Sequence, residues 1–145
     1  MKRIGVLVSF LVGSVILAAA CTRAVMPSPS IQGTKVESAK GAYSNITVSQ
    51  LKEMFINKDF LLVNVHIPYD GEIEGTDLFI PYNEIEQNLS RLPGNKGAKI
   101  VLYCRSGRMS TEAAQSMVDL GFTNIWNVTG GMIEWEKEGN TLIRK

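Results

Sequence analysis

Two short runs, Leu61-Leu62-Val63-Asn64-Val65 and Ile100-Val101-Leu102-Tyr103, are apolar at nearly every position. A strand that shows apolar side chains on both faces needs cover on both faces, as in a parallel sheet between helical layers. Asn124 to Val128 reads as a third strand. Between the last two lies Ser110 to Leu120, where Ala113, Ala114, Met117 and Val118 share a helical face and Gly121 stands where a C-terminal cap belongs. Thr47 followed by Gln50 forms a capping-box pattern, and Val48, Leu51, Met54 and Phe55 continue it at helical spacing. Asn83 to Leu92 and Met132 to Glu138 read as two further short helices. Strands alternating with helices predict an α/β domain with a central parallel β-sheet flanked by helices on both sides.

The 145 residues are 45% apolar and 20% charged, which supports a core and excludes a disordered chain. The formal charge of +1 excludes a polybasic nucleic-acid binder, so no nucleic-acid partner is expected. Two cysteines and one histidine exclude a disulfide scaffold and argue against an all-protein zinc or iron–sulfur site. No metal or organic cofactor is implied.

Met1-Lys2-Arg3 precedes an uncharged run from Ile4 to Ala20, which ends Leu17-Ala18-Ala19-Ala20-Cys21. A basic start, a short apolar stretch and small residues before a break predict an export signal over residues 1–20. The end of this segment resembles the lipobox of bacterial lipoproteins, in which the cysteine after the small residues receives the lipid and becomes the mature N-terminus. The resemblance implies lipid attachment at Cys21 and a membrane-anchored, extracytoplasmic place in the cell envelope. That family usually has Leu, Val or Ile where this chain has Ala18, and simple cleavage after Ala20 is the alternative. Thr22 to about Tyr43 is poor in large apolar side chains and holds Pro27, Ser28, Pro29, Ser30, Gly33 and Gly41. Residues 21–43 therefore read as lipid-attachment site and flexible tether, and residues 44–145 as the folded domain.

In an α/β sheet, ligands bind at the carboxyl ends of the strands. Cys104 stands at such an end, in Cys104-Arg105-Ser106-Gly107-Arg108-Met109-Ser110, directly before a helix. Backbone N–H groups of a short loop, the positive end of the helix dipole, and Arg105 and Arg108 each favour the thiolate over the thiol. The same ring of amides binds anions. Gly107 lets the backbone turn. A buried cysteine that merely ends a strand is the plainer alternative, yet apolar packing does not call for two guanidiniums beside a core thiol. Arg108 is the stronger candidate anion ligand, since a guanidinium fork matches an oxyanion.

With these residues in view, the domain resembles the rhodanese family of sulfurtransferases. Four stretches carry the likeness: Leu61 to Val65; Gly71-x-Ile73-x-Gly75 leading to Ile80-Pro81; Val101-Leu102-Tyr103-Cys104-x-Ser106-Gly107-Arg108 with the helix that follows; and Gly121-Phe122 to Val128, then Gly130-Gly131-Met132-x-x-Trp135. The resemblance implies that Cys104 takes a sulfane sulfur from a donor such as thiosulfate, becomes a persulfide, and passes the sulfur to a thiol or cyanide. It implies that the backbone of Arg105, Ser106, Gly107, Arg108, Met109 and Ser110 cradles the persulfide or substrate anion, with Arg108 on the donor. The partners expected are a small sulfur-containing anion, a thiol acceptor that could belong to a protein, and the membrane through the lipid. Phosphatases of similar architecture place an Arg where this chain has Ser110, which ranks phosphatase chemistry low.

The chain departs from that family at Asn64-Val65-His66, where Asp-Val-Arg is common, and at Gly71-Glu72-Ile73-Glu74-Gly75, where Gly-His-Ile-Pro-Gly is common. Asn64 reads as structural, bonding nearby backbone. His66 reads either as a secondary substrate contact or as a loop-packing residue in place of Arg. Asp70, Glu72, Glu74 and Asp77 read as a solvated loop that would repel anionic donors. Trp126, Trp135 and Phe122 read as core. The departures leave a second function class open: a non-catalytic or redox-sensing module that binds a partner through the same loop.

Overall fold

The computed structural model describes residues 31–145, so the export segment, Cys21 and the tether as far as residue 30 lie outside the described residues. Among the described residues a 6-stranded sheet runs in the order β1-β2-β6-β5-β3-β4. The strands are β1 (Thr34–Ser38), β2 (Gly41–Ile46), β3 (Leu61–Asn64), β4 (Leu78–Phe79), β5 (Ile100–Tyr103) and β6 (Ile125–Val128). The helices are α1 (Val48–Phe55), α2 (Arg108–Asp119) and α3 (Gly131–Lys137).

The doubly apolar runs sort their side chains onto two faces. Ile100 and Leu102 pack on one side with Tyr43, Val63 and the Ala113, Ala114, Met117 and Val118 stripe of α2. Val101 and Tyr103 pack on the other with Leu62, Leu51 and Met54 of α1, and Met132 and Trp135 of α3. Each large side chain fully buried in these layers contributes about 1.5–3 kcal/mol. Phe122 lies in the α2-side core, and Trp126 is partly buried against the opposite one.

The helix ends follow their sequence signals. Thr47 accepts from Gln50 N at 3.1 Å while Gln50 Oε1 accepts from Thr47 N at 2.9 Å, so the capping box is complete. At the far end of α2, Gly121 at φ +87° donates to Val118 O and Phe122 N donates to Met117 O, both at 3.0 Å. That pair of bonds closes the last turn as a Schellman motif.

Two sequence expectations need correction. The tether does not extend to residue 43. Thr34–Ser38 and Gly41–Ile46 form an antiparallel hairpin, and β2 joins the main sheet by parallel pairing with β6, Ser44 opposite Trp126. β1 is an edge strand with mostly exposed side chains, so it lacks the apolar signature that marks β3 and β5. Among the described residues this hairpin supplies the one antiparallel strand pair; the other pairs are parallel, as expected of an α/β sheet between helices. The helix expected over Asn83–Leu92 is a 3-10 segment, Glu86–Arg91, broken at Asn88 (φ −108°, ψ 17°). It ends as Leu92 extends (ψ 156°) ahead of Pro93, the conformation that a following proline imposes.

Candidate active site

β5 occupies the middle of the sheet between β3 and β6, and Cys104 leaves its carboxyl end. Val65 N donates to Tyr103 O at 2.9 Å, extending the β3–β5 ladder and setting His66 alongside the cysteine loop. The loop turns at Gly107, whose φ of +100° lies in the region that favours glycine. That turn aims the Gly107 amide back at Cys104 Sγ, 3.0 Å away.

Ser110, wholly buried in the first turn of α2, is the second polar group at the sulfur. Its single hydroxyl proton has two acceptors in reach, Gly107 O at 3.1 Å and Cys104 Sγ at 3.5 Å. A full negative charge on sulfur is the stronger acceptor, so ionisation draws the hydroxyl toward Sγ. The first amides of α2 have no intrahelical carbonyl to bond. Cys104 as a residue is only 1% exposed, so the sulfur sits at the base of the loop rather than on its rim.

α3 holds the loop from behind. Met132 N donates to Cys104 O and Ile133 N to Arg105 O, both at 2.9 Å. This approach requires Gly131, because a β-carbon there would lie 2.1 Å from Cys104 O. The Gly-Gly pair ahead of Trp135 thus serves the cysteine loop, a role that the residue pattern alone does not reveal.

The two arginines point to carboxylates. Arg105 Nη1 pairs with Asp70, and Arg108 Nη1 pairs with Glu112 at 2.6 Å. Arg108 is 65% exposed at its side chain and does not bond Sγ. The Arg108–Glu112 spacing is an ordinary i,i+4 helix pair and was legible in the sequence. The Arg105–Asp70 pair joins distant stretches and was not. Ser106 is exposed, and Met109 packs partly buried against the α2-side core.

Asn64 and His66 stand behind the same loops. Asn64 Nδ2 donates to Gly71 O at 3.0 Å, and Asn64 Oδ1 accepts from His66 N at 3.0 Å. The side chain is fully buried and bonds only backbone, so it ties β3 to the Gly71 turn. His66 is buried, and its Nδ1 has no partner among the described residues. Burial holds its imidazole below the usual 6.5, against the pull of Asp70 and with that of Arg105. Tyr103 braces the other side of the turn. Its hydroxyl accepts from Ile73 N at 3.0 Å and lies 2.7 Å from Thr76 Oγ1, and burial pushes its pKa up to about 12. Of the acidic loop, Glu72 meets Lys145 at 2.5 Å and Asp77 meets Lys58 at 2.6 Å. A cleft of about 640 Å³ lined by Tyr43, Phe122 and Trp126 lies toward the amino end of β6 and does not include Cys104.

A family model for the rhodanese-like domain matches residues 47–138. The chain is 32% identical over 89 residues to a sulfurtransferase from Allochromatium vinosum, covering 59% of this chain and 80% of that protein. It is 34% identical over 94 residues to a putative mitochondrial thiosulfate sulfurtransferase from Schizosaccharomyces pombe, covering 54% of this chain and 65% of that one. Its fold is similar to the crystal structure of a rhodanese-related protein from Thermoplasma volcanium, with a TM-score of 0.59 and 26% identity over 70% of this chain and 98% of the other.

Proposed function

The chain belongs to the rhodanese-like domain family, and from that membership we propose that it is an exported sulfurtransferase working through a persulfide on Cys104. The observation that carries the reading is the polar floor under the sulfur: the Gly107 amide at 3.0 Å and the Ser110 hydroxyl at 3.5 Å, in a loop at the end of the central strand. Donors placed at a nucleophile and aimed at its charge lower the cost of forming and regenerating that charge.

In the first half-reaction the Cys104 thiolate attacks the sulfane sulfur of a donor such as thiosulfate. A new S–S bond forms on Cys104, the donor's own S–S bond breaks, and sulfite leaves with the bonding pair. In the second, a thiol or cyanide attacks the outer sulfur and Cys104 departs as the thiolate. Gly107 N and Ser110 Oγ face Sγ at both moments when it carries charge. The assay is thiocyanate formation from a sulfane-sulfur donor and cyanide by the purified chain. Activity in the native chain and none above background in Cys104→Ser supports the reading, and equal rates defeat it.

The 1% exposure of Cys104 favours a second reading, a redox or binding module that never turns over. A stable mixed disulfide at Cys104 without persulfide formation would select it. The proposal extends to placement: residues 1–20 as export signal and Cys21 as the lipid-bearing residue, on the periplasmic or outer-surface side. Incorporation of a labelled fatty acid that Cys21→Ser abolishes is the test.

A further inference from the structure

β6 carries a polar side chain that core packing does not call for. Asn127 is 1% exposed, in register with Leu102 of β5, and its side chain reaches α2. Ile125, two residues before it, and Leu102 and Cys104 of the neighbouring strand belong to the α2-side core. An amide buried among such residues costs stability unless its polar atoms are bonded. Asn127 Nδ2 donates to Asn45 Oδ1 at 2.8 Å and to Thr111 Oγ1 at 3.3 Å, while Asn127 Oδ1 has no partner among the described residues. Stability alone would favour an aliphatic side chain of the same size.

The bonds of Asn127 lead to the cysteine loop. Thr111 stands in the first turn of α2 and its N donates to Gly107 O at 3.0 Å. Gly107 N in turn donates to Cys104 Sγ at 3.0 Å. The Gly107 turn also leans on the end of β6, since a β-carbon on Gly107 would lie 3.3 Å from Gly130 N. That end is tied to β2: Thr129 N and Oγ1 donate to Ile46 O at 2.8 and 3.0 Å. Asn45 and Ile46 of β2 therefore brace the strand end that supports the turn.

We propose that Asn127 is a positioning residue for sulfur transfer: by holding Thr111 it fixes the Gly107 peptide, so that the Gly107 amide stays aimed at Cys104 Sγ. The inference rests on the sulfurtransferase reading above and adds to it a residue from a different strand. Asn127 makes no contact with the reacting atoms, and its effect passes through Thr111 and Gly107.

The test is Asn127→Leu in the full chain, a change of similar size that removes both bonds. Asn45 and Thr111 are only partly buried, so water can bond their released oxygens. A structural amide and a positioning one then predict opposite results. Positioning predicts a thermal midpoint held or raised, and single-turnover loading of Cys104 slowed about tenfold at saturating donor with the half-saturating concentration unchanged. The donor is thiosulfate or 2-hydroxyethyl persulfide, whichever loads the native chain faster, and loading is read by intact mass. The Gly107 amide resonance is expected to move in the same variant. Thr111→Val should slow loading likewise and Thr111→Ser, which keeps the hydroxyl, should restore it; this pair decides the matter if Asn127→Leu does not fold. Undiminished loading in folded variants, or slower loading with the Gly107 resonance in place, overturns the inference and leaves the sulfurtransferase reading intact. No loading of the native chain from either donor overturns both.

Discussion

Gly131 lies directly against the carbonyl of Cys104: a β-carbon at that glycine would fall 2.1 Å from the oxygen. The contact lets Met132 N reach the same carbonyl at 2.9 Å, so α3 fixes the backbone from which the sulfur projects. The Gly-Gly pair near the chain's end and the cysteine loop therefore form one structural unit.

Gly131→Ala tests that unit. Its φ of +52° lies in the left-handed region, which costs alanine about 1–2 kcal/mol, and the overlap with Cys104 O must be relieved as well by moving α3 or the loop. The variant is expected to lose about 2–5 kcal/mol of stability in a denaturant titration. Sulfur transfer is expected to fall by about a hundredfold, since a small misplacement of a reacting group is that costly.

Ser110→Ala separates charge stabilisation from packing. The side chain is fully buried but small, so the fold should tolerate the change. Loss of a hydroxyl bond to a charged sulfur is expected to slow Cys104 loading by roughly tenfold or more. Loading kinetics followed by mass, alongside an unchanged thermal midpoint, is the check.

The central elements were legible because their signals are local. β3 and β5 announce themselves by apolar residues on both faces, α1 by Thr47 and Gln50, and the end of α2 by Gly121. The place of the cysteine loop was legible because a cysteine followed by Arg, Ser, Gly and Arg at a strand end has little packing rationale, and Cys104 does leave the carboxyl end of β5 directly ahead of α2. What stayed hidden depends on contacts across the fold. β1 and β2 carry few apolar residues because β1 lies at an edge, so their stretch reads as a tether. The partner of Arg105 lies 35 residues away at Asp70, and no spacing rule reaches that far. Arg108 has a nearer partner: Glu112 stands one helical turn on and pairs with the guanidinium at 2.6 Å.

Asn64→Asp should destabilise this chain even though the related domains commonly carry Asp at that position. Asn64 Nδ2 donates to Gly71 O, and a carboxylate would turn that bond into a buried contact between two acceptors. A loss of about 1–3 kcal/mol at neutral pH is expected from chemical denaturation. Asn64→Ala should also lose stability, because it leaves Gly71 O and His66 N without their partner.

His66 gives the fold an acid-sensitive term whose sign follows from linkage. Its folded pKa lies below the ordinary 6.5, chiefly through burial, so the unfolded chain binds the proton more readily. Stability therefore falls as pH drops through 6.5 and levels off once the folded-state value is passed. Urea midpoints measured on either side of 6.5 should show this fall in the native chain and a smaller one in His66→Gln.

The central claim is that the sulfur of Cys104 accepts another sulfur. Intact and peptide mass spectrometry of the chain, after exposure to a sulfane-sulfur donor and removal of excess, tests it without any assumption about the acceptor. The account expects one added sulfur, located on Cys104, lost on treatment with cyanide and absent from Cys104→Ser. A native chain whose Cys104 stays a free thiol with both thiosulfate and an organic persulfide would contradict it.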